Sequence, residues 1–429
     1  MRGIAALLIF FSILPSISVA QTDETKSLFQ AVPFNQWVTE GPKEELPWRT
    51  WVSSPELSLH QRMLVRFEVQ LEGREVLKRC CDGRAVALLE IIDFRGQSFR
   101  NYAVENIRQA RADLSQAVVV LSWDVFLLPG DYQVAMALYY SGQAGHSLLL
   151  KKLAVSPPKN DPLPEAWRGL STVEFCDPQP EGLDEFLLPR IEGQLNLPVN
   201  NQRPIRVEIF ENLTPYTAEL RTPLWYHERL RVYLPILKSL AQLKMRNGSL
   251  NLATMDFARS RLTFEQRDIP DGHLDLTRLK DSLAGNATSR VDVHDIRKPD
   301  HYGKFFAQEI SERLDMASRT NVSQVNRPLH VLIIVSGDMA LGAAPIAPRP
   351  NGDALVFYLR CDFAPVGVFH GPVNSNLPYA WQISSLKAEQ LDDGIGKALK
   401  NLKPHSYTVN SAESVRKAMA AIISELSRM

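Results

Sequence analysis

Over residues 57–155 the apolar positions recur at every second residue. Met63-Leu64-Val65-Arg66-Phe67-Glu68-Val69 shows the rhythm most clearly, and residues 86–92, 118–125, 132–140 and 148–155 repeat it. Alternation sends successive side chains to opposite faces, so each run predicts a half-buried β-strand. Turn chemistry separates the runs, at Pro129-Gly130-Asp131 and at Asp93-Phe94-Arg95-Gly96. Short strands at this spacing predict an antiparallel β-sandwich of immunoglobulin-like type over residues 56–156, in which Trp123 and Tyr132 serve as core and corner residues.

The rhythm breaks after residue 156. Pro157, Pro158, Pro162, Pro164, Pro178, Pro180, Pro189, Pro198 and Pro204 punctuate the next stretch, and such proline density predicts a stiff, extended linker or a surface-hugging connection over 157–203. From residue 204 onward, strand-like and helical periods alternate. Residues 205–210 read as a buried strand. Over 225–245, Leu230, Leu234, Leu237, Leu240, Ala241 and Leu243 mark one helical face, with Pro235 as a kink or a helix start. Residues 250–257 and 261–265 read as a hairpin, 274–283 and 302–316 as helices, 291–296 and 355–359 as strands. The unbroken apolar run 329–335 is the signature of a central parallel strand covered on both faces. A terminal helix over 411–426 takes Ser411 as its N-cap. The expected class is therefore α/β plus all-β, with a doubly wound, mostly parallel sheet over 204–429.

Composition narrows the functional classes. The chain has 429 residues, 45% hydrophobic, with 48 basic and 48 acidic side chains. That is enough apolar material for two cores, and a net charge of zero offers no global field for a nucleic acid or an acidic membrane surface. Arg2, the apolar run 4–14 and Ser18-Val19-Ala20 together read as an export signal over residues 1–20. A secreted or periplasmic protein would then begin near Gln21, with residues 21–55 as an N-terminal extension and no membrane span in the mature chain. Cys80, Cys81, Cys176 and Cys361 are disulfide candidates in such a compartment. Adjacent cysteines rarely bridge each other; one of Cys80 and Cys81 could pair with Cys176, and the connectivity stays open. Four Asn-x-Ser/Thr sequons stand at Asn212, Asn247, Asn286 and Asn321.

The order of elements after residue 204 resembles the von Willebrand factor A-like fold. The likeness rests on the strand 205–210, the long helix after it, the hairpin with Phe257, the helix opening at Leu276-Thr277-Arg278-Leu279, the strand ending Ile333-Ile334-Val335-Ser336-Gly337-Asp338, and the terminal helix. An exported β-sandwich followed by such a domain also looks like a group of bacterial secreted proteins. The resemblance implies a divalent-cation site at the carboxyl ends of the strands, built from an Asp-x-Ser-x-Ser loop, a Thr and a second Asp. Here the first loop reads Glu211-Asn212-Leu213-Thr214-Pro215. Glu211, Thr277 and Asp338 are the candidate ligands for Mg²⁺, which demands hard oxygens, but Leu213 and Pro215 supply none. The implied site is degenerate, and no cofactor is expected.

Enzyme signatures are absent from the sequence: there is no Gly-x-Ser-x-Gly elbow, no phosphate-binding loop and no His-Glu-x-x-His pair. His294 stands between Asp292 and Asp295, a general-base setting in which strand alternation puts Asp292 on its face and Asp295 on the other, although an exposed strand-end histidine beside a salt-bridging neighbour is the commoner case. Ser336 follows an apolar strand with no assignable base or oxyanion donor. The expected function is non-catalytic binding of a protein partner. The alternative is a hydrolase that uses Glu211, Asp338 and His294 in the strand-end crevice.

Overall fold

The structure is a computed structural model that describes residues 23–79, 83–107, 114, 117–176, 191–214, 223–269, 272–288, 299–319, 328–339, 341, 354–363 and 393–429. The segment 1–20 expected to be an export signal, Cys80, Cys81, Pro215 and the expected strand around His294 lie outside the described residues. The chain divides into two compact units. One comprises the chain up to Ser58 with Arg62–Asn160 and Gly169–Gly193, the other Leu59–Gln61, Asp161–Arg168 and Gln194–Met429.

The first unit holds two antiparallel sheets. Strands β2 (Arg49–Val52), β4 (Met63–Glu72), β7 (Val118–Leu127) and β10 (Val173–Phe175) form one, with β3 (Glu56–Leu57) beside β4. The other runs in the order β1 (Lys43–Glu44), β9 (His146–Val155), β8 (Gly130–Tyr140), β5 (Arg84–Ile92) and β6 (Ser98–Asn106). In β4 the alternation read from sequence is the burial pattern itself, with Val65, Phe67 and Val69 fully buried. By contrast β5 is buried on both faces, because two helices the periodicity did not suggest, α1 (Asp23–Gln30) and α2 (Phe34–Glu40), cover its outer side. Residues 23–58 are thus part of this unit and not an extension to it. A third short helix, α3 (Gly73–Arg79), links β4 to β5. Trp123 is core, and the Tyr132 hydroxyl donates to the Leu128 carbonyl at 2.7 Å, as a corner residue does. Asp93 closes its predicted turn by accepting the Arg95 and Gln97 amides, and its other carboxylate oxygen accepts the Thr172 hydroxyl at 2.6 Å.

The proline-rich stretch is not a plain linker. Its residues Val173–Phe175 pair with β7 in the first unit, while β11 (Leu197–Val199) pairs in parallel with β13 (Leu243–Met245) in the second. Residues 161–168 also belong to the second unit. Prolines there interrupt regular periods without preventing short edge pairings.

The second unit is built on six strands in the order β15 (Arg261–Gln266), β14 (Gly248–Asp256), β12 (Ile205–Asn212), β16 (Leu329–Ser336), β17 (Ala354–Cys361) and β18 (His405–Val409). All neighbours are parallel except the β14–β15 hairpin. Counted along the chain within this sheet the order is 3-2-1-4-5-6, the doubly wound arrangement whose switch point falls between β12 and β16. Every residue of β16 is buried, as its continuous apolar run requires. One sheet face carries Phe210, Ala253, Met255, Leu332, Ile334, Val356 and Tyr358 under the helices α6 (Pro299–Arg319) and α7 (Gly394–Leu399). The helix α4 (Pro223–Leu240) contacts β12, and α8 (Ala412–Ser427) contacts β11 and β18. Pro235 lies inside α4 and does not start it, and 243–245 is a strand. A helix α5 (Leu276–Thr288) follows the hairpin. A Cβ on Gly248 would fall 2.0 Å from the Ile205 carbonyl oxygen, so only glycine lets β14 begin alongside β12. Ser411 caps α8 as expected: its hydroxyl accepts the Ser414 amide, and the Ser414 hydroxyl accepts the Ser411 amide, a reciprocal box worth about 1 kcal/mol.

Two buried charge networks brace this unit. The Arg416 guanidinium on α8, 1% exposed, grips Asp161 at 2.6 and 2.8 Å, donates to the Leu163 carbonyl at 2.7 Å and lies 4.6 Å from the centre of the Trp167 ring. Burial pulls the Asp161 carboxyl upward, but the bonds from Arg416 and the Leu163 amide outweigh it and hold the group below its usual range. On β12, Glu208 accepts Arg206 at 2.9 Å, Asn251 at 2.7 Å and Arg313 of α6 at 3.2 Å. Arg313 continues to Glu265 at 2.6 Å and covers the Phe210 ring. Among the described residues no helix is long and apolar enough to cross a membrane.

Candidate functional site

In an open α/β sheet ligands bind beyond the carboxyl ends of the strands, at the switch point. Here that place lies past Asn212 of β12 and Ser336 of β16, which run side by side with Glu211 opposite Val335. The strands read from sequence as 205–210 and 329–335 are parallel neighbours in the sheet. What the sequence did not announce is how fully the polar groups there are consumed.

The Asn212 amide donates to the Ser336 hydroxyl at 2.9 Å and lies 3.4 Å from the Met339 sulfur. Its carbonyl oxygen accepts both the Thr214 amide at 3.1 Å and the Thr214 hydroxyl at 2.6 Å. The Thr214 oxygen in turn accepts the Phe257 amide at 3.0 Å, and the Ser336 hydroxyl donates a hydrogen bond to the Gly337 carbonyl at 2.9 Å. Asn212, Thr214 and Ser336 are all fully buried. The end of β12 is laced to β14 on one side and β16 on the other. Leu213 is buried in the same turn, its amide bonded to the Met255 carbonyl.

Asp338 is held by Arg360 of β17 in a bidentate ion pair of 2.5 and 2.6 Å. That hydrogen bond raises the guanidinium's proton affinity further, against the opposing pull of burial. Beside it the Tyr358 hydroxyl donates to Asp393 at 3.0 Å, and Asp393 caps α7 through the Gly396 amide at 2.8 Å. Burial first, and then the Asp393 charge, push the Tyr358 phenol far up, so it stays protonated. At the end of β14, burial raises the Asp256 carboxyl above its usual value, with Arg259 at 3.0 Å acting the other way.

The three expected metal ligands are not brought together. Glu211 is fully buried, on the face of β12 opposite to Asn212. Asp338 lies at the crevice, engaged by Arg360. Thr277 is an exposed residue in the first turn of α5. The chain reaches it by leaving β15 toward the start of β14, where Ile269 bonds Leu250 and the Gln266 side chain accepts the Asp275 amide. Thr277 therefore belongs to the opposite end of the sheet. The register of a hairpin edge strand decides this, and residue spacing alone does not show it. Among the described residues no three His, Cys, Asp or Glu side chains converge as a metal cluster. Arg360 and Tyr358 were not foreseen. Both lie at the end of a strand read only as 355–359, and no motif marks them.

Of the residues in the hydrolase alternative, Glu211 is fully buried, Asp338 is engaged by Arg360, and His294 lies outside the described residues; Ser336 is buried with its hydroxyl engaged. Cys361 is buried with its sulfur 3.8 Å from the Leu359 carbonyl oxygen, and Cys176 is half-buried just past β10. No family model matches this sequence, and no curated protein matches it. Among solved structures, the "conserved hypothetical protein BatB from Bacteroides thetaiotaomicron" overlaps 52% of this chain and 100% of its own, at 12% identity and a TM-score of 0.26.

Proposed function

We propose that the second unit is a von Willebrand factor A-like domain whose cation chemistry has been replaced by internal bonding, carried by an exported, non-catalytic protein that works through protein contacts. The 3-2-1-4-5-6 sheet with one antiparallel edge strand supports the fold reading, and the resemblance of the β12, β14–β15 and β16 segments motivates it. The observation that carries the rest is the closure of the crevice. Asp338 already has a guanidinium on both oxygens, and Leu213 stands where an oxygen ligand is needed. A cation would have to displace Arg360 and strip an ion pair to gain one carboxylate, with too few oxygens to complete six-fold coordination. An immunoglobulin-like reading of the first unit rests on its two antiparallel sheets and the Tyr132 corner. Trp51, Val118 and Val120 stand exposed on the outward face of β2 and β7, surface of the kind that protein contacts use.

Calorimetric titration of the full chain with Mg²⁺, Mn²⁺ and Ca²⁺ is expected to give no saturable heat up to millimolar cation. Micromolar binding that Asp338→Ala abolishes would overturn the closed-crevice reading.

A further inference from the structure

The helical pair α1–α2 docks on the outer face of the β5–β8–β9 sheet through Phe29, Phe34 and Trp37, which pack against Val86, Leu88, Tyr102, Ala135, Ala137, Tyr139 and Leu148. One member of this contact is not apolar. The Trp37 indole stacks flat on the His146 imidazole, with centroids 4.0 Å apart and planes 7° from parallel. His146 is 6% exposed, and its Nε2 is buried with no hydrogen-bond partner. Its other nitrogen, Nδ1, lies 3.8 Å from Glu45, whose carboxylate accepts the His146 backbone amide at 3.0 Å.

We propose that the Trp37–His146 stack makes the docking of α1–α2 acid-sensitive, so that protonation of His146 loosens this helical cap and uncovers the apolar sheet face beneath it. A charged imidazole needs acceptors for two N–H groups, and the docked ring has one within reach at most. Undocking returns Nε2 to water. The charged and titratable groups around the ring are Lys43 of β1, Glu45 after it, Glu40 at the end of α2 and Tyr139 on β8. Burial is the largest influence and disfavours the charged ring, Lys43 adds to it, and Glu45 and Glu40 oppose it, leaving the proton affinity lowered. The indole face also attracts a cation, but it offers nothing to Nε2.

The sign follows from linkage. A histidine whose affinity for protons is lower docked than undocked leaves docking unaffected above the free value near 6.5. Docking weakens as the pH falls below that value and levels off once the docked ring also titrates, by a factor of about ten for each unit of difference. Amide hydrogen exchange of the full chain at pH 7.5 and pH 5, corrected for intrinsic exchange, reads this directly. Residues 23–40 are expected to lose protection severalfold more than β4 and β7 in the unmodified protein. His146→Phe, which keeps the stack but cannot take a proton, is expected to abolish the difference, with His146→Gln as a second variant should the first fold poorly. Equal loss at residues 23–40 and in β4, or a variant that responds to acid as the unmodified chain does, would overturn the proposal.

Discussion

Arg416→Met is expected to lower the unfolding free energy of the second unit by about 3–5 kcal/mol, the cost of stranding one member of a buried ion pair. Asp161, with its side chain 9% exposed, would lose both of its guanidinium bonds, and the Leu163 carbonyl would keep only the Ala166 amide as donor. Stacking on Trp167 adds to the loss. The effect reaches beyond one helix. The Gln61 carbonyl that receives the Trp167 indole proton at 2.7 Å lies 3.5 Å from Arg416, and the Gln61 amide bonds the Ala412 carbonyl. Urea denaturation followed by exchange at β16 amides gives the value for this unit separately, since a two-unit chain need not melt in one step. The double variant Arg416→Met/Asp161→Leu should recover most of the loss, because removing both charges leaves no uncompensated ion. A single-variant cost below about 1 kcal/mol would mean that the pair is screened as surface pairs are.

Arg313→Met should cost less, about 1.5–3 kcal/mol, because Glu208 keeps Arg206 and Asn251 when the guanidinium is removed; the same exchange measurement on β12 and β14 reads it. Arg313 and Glu208 are both 5% exposed in their side chains, and Arg313 also ties Glu265 of the edge strand to α6. Burial pulls the Glu265 carboxyl up, while the bonds from Arg313 and then Arg267 hold it below its usual range. Its contribution to stability is complete above the unfolded value near 4.3 and disappears as the pH falls through the depressed folded value. The unmodified protein should therefore lose stability over that acid window, and the variant should show less of this loss. An unchanged acid limb would remove Arg313 from the account.

The parts of this fold that could be read in advance are those whose signal is local. The run 329–335 could only be a strand covered on both faces, the 250–265 hairpin carries its own alternation, and Ser411 with Ser414 writes a helix start in four residues. The parts that escaped depend on distant partners. Residues 197–199 become a strand by pairing with 243–245, and Asp161 acquires its meaning from an arginine 255 positions away. At the candidate site the sequence located the strand ends 205–210 and 329–335 that lie side by side. It missed Arg360 as the group on Asp338 because a bidentate pair across neighbouring parallel strands has no spacing signature. It misplaced Thr277 because β15 reverses direction and carries the chain to the other end of the sheet before α5 begins.

One detail of the crevice bears on how the chain would fare in a cell that attaches sugars to exported proteins. Asn212-Leu213-Thr214 satisfies the acceptor pattern, but the amide nitrogen that would carry the glycan is the atom already donated to Ser336, and the residue is wholly enclosed. Asn247, just before β14, is exposed, and its amide nitrogen is engaged only by a long bond of 3.3 Å to the Gln202 carbonyl. An oligosaccharide transferred to Asn212 while the polypeptide was still emerging would wedge the central strand away from its neighbour and forestall closure of the sheet. Timing of synthesis, and not the consensus triplet, would decide whether a nascent chain escapes that fate.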